Sequence, residues 1–130
     1  MWLAVLSVPT ESQEQQTLFQ WAQLQKGKYP ELGLLFAVPN GEYRHKATAG
    51  RLKAQGVKAG VPDICLPVAR GNFHGLFIEL KRQKGGFLAP SQKAWLDALN
   101  QYGYHAVVCN GWGDASDTIM QYLRLREELE

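Results

Sequence analysis

The chain has 130 residues, 45% of them hydrophobic and 20% charged, the composition of a folded domain that buries about two-thirds of its surface. Two cysteines without a C-x-x-C spacing exclude a disulfide-dense scaffold and argue against structural zinc, and no apolar run approaches the roughly 18 residues of a membrane span. The net charge of +2 is unevenly spread: from Arg44 to Lys93 the chain holds ten of its fourteen bases and only two acids, a segment of +8 against −6 elsewhere. A concentrated basic middle is the footprint of a polyanion partner. The apolar opening Met1 to Pro9 is short and lacks the basic leader of a signal peptide, so a cytoplasmic location is expected. Without repeats, low-complexity tracts or a linker, one domain over residues 1–130 is expected.

The pattern predicts a helix from Thr10 to about Lys26, with Thr10 as N-cap, Gln13 three residues later and Gly27 closing it. Leu34 to Val38 reads as a short buried strand ended by Pro39-Asn40-Gly41. A basic helix follows from about Tyr43 to Gln55. Ile64 to Val68 is a second strand, in which Pro67 suggests an edge or a bulge. Gly71-Asn72 turns the chain into a third strand, Gly75 to Lys81. Ser91 is placed to cap a helix running to about Tyr102. Tyr104 to Cys109 is a fourth strand, and a last helix spans about Asp114 to Glu128. The order α-β-α-β-β-α-β-α predicts an α/β domain, a small mixed sheet of about four strands flanked by helices.

The two acids inside the basic segment are Asp63 and Glu79. Side chains alternate along a strand, so Glu79 and Lys81 share one face while Ile78 and Leu80 share the other. A hairpin through Gly71-Asn72 lets Asp63 approach Glu79 across the sheet. Two carboxylates held together in a field meant for phosphates suit a hard divalent cation, Mg²⁺ or Mn²⁺, which can activate water and stabilise charge on a phosphodiester. Lys81 beside them could orient the attacking water or stabilise the pentavalent oxygens.

Pro62-Asp63 followed by Glu79-Leu80-Lys81 resembles the PD-(D/E)XK nuclease superfamily pattern. The wider match is to the virus-type replication-repair nuclease (VRR-NUC) family. Gly56 to Asp63 resembles its G-V-(K/R)-x-G-V-P-D signature, Glu11-Ser12 with Gln15 its E-S-x-x-(Q/E), Leu88 to Gln92 its L-S-P-x-Q, and Tyr102-Gly103-Tyr104 its helix-to-strand step. Ala89 stands where that family often has serine. The resemblance runs from about Thr10 to Val108 and implies a restriction-endonuclease-like core that hydrolyses DNA with a divalent metal. It implies Asp63, Glu79 and the Leu80 carbonyl as metal ligands, Lys81 as the catalytic lysine and Gln92 as an active-site neighbour. It also implies a carboxylate from the first helix. Glu11 is favoured because Gln15 then falls in register, and Glu14 competes because both lie on the Leu18 face. Homodimers, four-way (Holliday) junctions as substrate, a role in DNA repair and phage or prophage origin are further expectations from the resemblance.

The basic residues Arg44, His45, Lys46, Arg51, Lys53, Lys58, Arg82 and Lys84 are the expected contacts to the DNA backbone, which position a duplex without reading its bases. His45, His74 and His105 show no ligand spacing, and Cys65 and Cys109 read as small buried side chains. Two other functions remain open from the residues: a non-catalytic DNA-binding module derived from a nuclease, and a restriction-type nuclease acting on linear duplex.

Overall fold

The computed structural model describes residues 7–39 and 46–126. Helix α1 (Glu11–Gln25) opens on the expected capping box: Thr10 Oγ1 accepts from the Gln13 N–H at 3.1 Å, and Gln13 Oε1 accepts from the Thr10 N–H at 2.8 Å. Its inward residues Glu14, Leu18 and Ala22 follow the four-residue spacing of one helix face.

The segment after α1 departs from expectation. Pro30–Leu34 winds into a 3₁₀ turn that buries Leu32, and strand β1 is reduced to Phe36–Ala37, both exposed. The strand expected over Leu34 to Val38 is therefore shorter than predicted, with its first residue taken by the turn, and its two strand residues are exposed, not buried. Pro30 starts the turn with φ already fixed, and β1 lies at the edge of the sheet, where one side has no neighbour among the described residues. Helix α2 (Lys46–Ala54) follows; Tyr43, Arg44 and His45, and the Asn40-Gly41 turn, lie outside the described residues. Helix α2 makes next to no contact with the other helices or the strands.

Strands β2 (Ile64–Leu66) and β3 (Leu76–Lys81) form the predicted antiparallel pair, with Ile64 opposite Ile78 and Leu66 opposite Leu76. The turn between them is closed by two bonds between Arg70 and Phe73, at 3.2 and 2.9 Å, and Gly71 supplies its positive φ. β2 lies between β1 and β3, so the edge suggested by Pro67 is wrong. Pro67 falls one residue past the strand, where a missing N–H breaks no ladder bond. β4 (His105–Asn110) pairs parallel to β3, with helix α3 (Pro90–Gln101) as the crossover. The sheet order is β1-β2-β3-β4.

One sheet face carries Ile64, Leu66, Leu76, Ile78, Leu80 and Cys109 against Leu18 of α1 and Ile119 and Tyr122 of α4 (Trp112–Leu123). That is the core. The opposite face presents Glu79 and Lys81 beneath the start of α3. Ser91 does not cap α3: the N-cap is Ala89, Pro90 occupies the first turn, and the Gln92 side chain reaches back to the Ala89 N–H at 2.8 Å. Helix α4 starts two residues before Asp114 and stops at Leu123, short of the expected Glu128. A bond from the Gly71 N–H to the Arg126 carbonyl draws the chain out of the helix.

Candidate active site

Extending the β2–β3 register by one residue brings Asp63 opposite Glu79. Asp63 is anchored twice: Oδ2 accepts from the Leu80 N–H at 2.9 Å, and its own carbonyl accepts from the Val38 N–H at 2.7 Å. The residue before it has a specific effect. N–H and C=O of one strand residue point to the same side, so the Leu80 carbonyl also faces β2. Opposite it stands Pro62, which has no N–H to donate. The proline of the Pro-Asp pair thus keeps the ladder from claiming the Leu80 carbonyl.

Glu79 is 1% exposed. Its Oε2 accepts from Gln92 Nε2 at 3.0 Å and lies 3.4 Å from Lys81 Nζ. Oε1 is buried, and no N–H or O–H of the described residues reaches it. Burial, and then the Asp63 carboxyl beside it, push the Glu79 carboxyl up to about 8, and the Lys81 ammonium only partly offsets this. Lys81, also buried, donates to Gln92 Oε1 at 3.0 Å. Gln92 is the hinge of the arrangement, for its oxygen accepts from Lys81 and Ala89 while its amide donates to Glu79.

The two helix carboxylates separate clearly. Glu14 is 1% exposed and fully used inside the protein: Oε2 accepts from Gln83 Nε2 and Oε1 from the Trp112 N–H, each at 2.9 Å. It caps α4 from another helix, where the positive end of the helix dipole favours an acid. Glu11 is exposed and lines the same cavity as Asp63, Glu79 and Gln92. That cavity, of about 850 Å³, is walled on its other side by α2 and residues 57–61.

Of the expected backbone contacts, Lys53 and Lys58 line the cavity, and Arg51 and Lys84 are exposed. Arg82 is turned away, donating to the carbonyls of Val8 at 3.2 Å and Pro9 at 3.4 Å. Arg44, His45 and the Lys46 side chain lie outside the described residues. Cys65 and Cys109 are buried, and burial raises both thiols. The sequence reading missed the aliphatic side of the cavity, made by Ala49, Leu52, Val57, Val61 and Ala89. Two of these, Val57 and Val61, lie within the Gly56 to Asp63 motif, but nothing in residue spacing says that they face the carboxylates.

Gly60 sets how close that wall comes. Its φ is +87°, and a Cβ there would sit 2.8 Å from the Ser91 carbonyl carbon and oxygen. Gly60→Ala is expected to cost about 1–3 kcal/mol, read as a thermal midpoint lowered by several degrees.

The donor set fits a hard divalent cation. Among the described residues no three of His, Cys, Asp and Glu form a ready cluster. Mg²⁺, however, is held by one or two carboxylates and keeps waters or substrate oxygens in its other positions. Asp63 and Glu79, with an unserved Glu79 oxygen and the Leu80 carbonyl alongside, are such a set.

Comparison with known proteins agrees with this architecture. A solved structure described as a VRR_NUC domain protein superposes with a TM-score of 0.82, at 34% identity, over 94% of each chain. No curated protein matches. The VRR-NUC domain profile matches residues 9–112, a span that includes α1, both carboxylates, Lys81 and Gln92. With the motifs, the sheet and the relative in agreement, the chain belongs to the VRR-NUC domain family, a nuclease-type fold.

Proposed function

We propose that the protein is a Mg²⁺- or Mn²⁺-dependent DNA endonuclease that selects branched DNA such as four-way junctions. The observation that carries this is the pairing of half-buried Asp63 with buried Glu79, one Glu79 oxygen unserved, opening on a cavity rimmed by lysines. Held by Asp63 and Glu79, with the Leu80 carbonyl as a third oxygen, the cation would supply positive charge to the phosphate and acidify a water. Glu11, on the same cavity wall, would bind that water or the cation's outer shell.

Lys81 is the cationic donor beside the carboxylates, 3.4 Å from Glu79 Oε2. Its ammonium, fixed between Glu79 and Gln92, hydrogen-bonds the attacking water or a non-bridging oxygen as charge builds there. Gln92, bonded to both, holds Lys81 and Glu79 together. Lys53 and Lys58 draw the backbone into the cavity, with Arg51 and Lys84 extending the positive surface. A homodimer presents two such sites, which suits a substrate with two-fold symmetry.

The test compares a labelled four-way junction with a linear duplex of matched sequence, in Mg²⁺, Mn²⁺ or chelator, for wild type and Lys81→Ala. Paired metal-dependent nicks on the junction are expected, reduced on the order of a hundredfold or more in the variant. Equal cutting of both substrates removes the structure selectivity. Salt-sensitive binding without cleavage in either metal identifies a DNA-binding module instead.

A further inference from the structure

The cavity has two chemically different sides. One is polar and carries Glu11, Asp63, Glu79 and Gln92. The other is aliphatic, and part of it is open to water: Val57 is 46% exposed. Leu52 and Ala49 lie three residues apart on one face of α2, which among the described residues makes next to no contact with the other helices or the strands. A cavity of about 850 Å³ is within the roughly 300–1,000 Å³ usual for sites that enclose a small ligand.

Paired duplex gives this wall nothing to bind. Its bases are stacked, so only sugar and phosphate reach a protein surface, and neither gains from leucine and valine. A nucleotide splayed out of the stack does gain, because its base has two apolar faces that must be covered once unstacked. The charges agree with such an occupant. Lys53 and Lys58 flank Leu52 and Val57 in sequence and line the same cavity, so phosphates on either side of an inserted base meet positive charge.

From this juxtaposition we infer that the cavity receives an unpaired nucleotide adjoining the scissile phosphate, its base laid against Leu52 and Val57. The inference rests on the nuclease reading and names the substrate feature that reading leaves open. Selection of branched DNA then comes from the supply of an unstacked base at the branch and not from recognition of a sequence.

The test measures affinity in chelator, where nothing is cut, for a splayed-arm DNA and a fully paired duplex of equal length. Wild type is compared with the double variant Leu52→Ser, Val57→Ser and with the apolar variant Leu52→Met, Val57→Ile, circular dichroism confirming that each folds. Wild type is expected to prefer the splayed arm by about tenfold or more, the serine variant to lose most of that preference, and the apolar variant to keep it. An unchanged preference in the serine variant overturns the inference. So does a wild-type dimer that the serine variant breaks apart, because the wall is then covered by a second copy. Cleavage of both DNAs by wild type in Mg²⁺ is scored alongside. Cleavage with no effect of the serines removes only this inference, whereas a serine-sensitive preference without cleavage in Mg²⁺ or Mn²⁺ removes the nuclease reading and leaves the base site.

Discussion

Glu79→Gln is expected to lower cleavage on the order of a thousandfold or more, about 4 kcal/mol of transition-state stabilisation, while making the metal-free protein more stable at pH 8. The two effects have one cause. Glu79 lies buried beside Asp63, and its carboxyl ionises near 8 in the folded protein against an ordinary value of 4.5. The folded state therefore holds a proton that the unfolded chain has released, and stability falls as pH rises from about 4.5 through 8. A glutamine keeps the shape, can still accept from Gln92 and can donate to Asp63, but it cannot ionise. Thermal denaturation in chelator should show wild type losing stability across that window and the variant nearly level. Addition of Mg²⁺ or Mn²⁺ should restore wild type at pH 8 and do little for the variant. A variant that cleaves normally, or that responds to pH and metal as wild type does, refutes the assignment.

Glu14→Ala carries the largest expected loss of stability, about 2–4 kcal/mol, or roughly 10 °C in thermal midpoint. The substitution leaves a void under α1, an unserved Gln83 amide and an uncapped Trp112 N–H at the start of α4. Glu14→Gln retains an acceptor and the volume, and should recover about half of the loss. In contrast, Glu11→Ala, on an exposed side chain, should leave the midpoint within about 0.5 kcal/mol of wild type and lower cleavage. Denaturation curves of the three variants separate the buried acid from the exposed one.

That contrast also marks how far the sequence could be read. Asp63, Glu79 and Lys81 were legible because strand alternation and a hairpin turn are local rules, and the Arg70–Phe73 turn obeys both. The α1 capping box was legible for the same reason. Glu11 and Glu14 were not separable, because they share a helix face; only the arrival of Gln83 and Trp112 from far along the chain occupies one of them. Ser91 was the obvious cap for α3, yet Gln92 serves the Ala89 N–H while also holding Glu79 and Lys81, two demands that propensity cannot weigh together. The apolar run at Leu34 was read as a buried strand because an apolar run does not show whether its strand lies inside a sheet or, like Phe36–Ala37, exposed at its edge. The aliphatic wall was invisible for a simpler reason: it is defined by what it faces.

The bond between Glu14 and Trp112 joins residues 98 positions apart, and its partners are the helices that cover the inner face of β3. During synthesis, at about 5–20 residues per second, β3 emerges seconds before β4 and α4 have been made. Until they arrive, Ile78 and Leu80 have no complete cover. A translation product cut short by a stalled ribosome before α4 therefore lacks Ala115, Ile119 and Tyr122, and with them one side of the core on which the cleft is built.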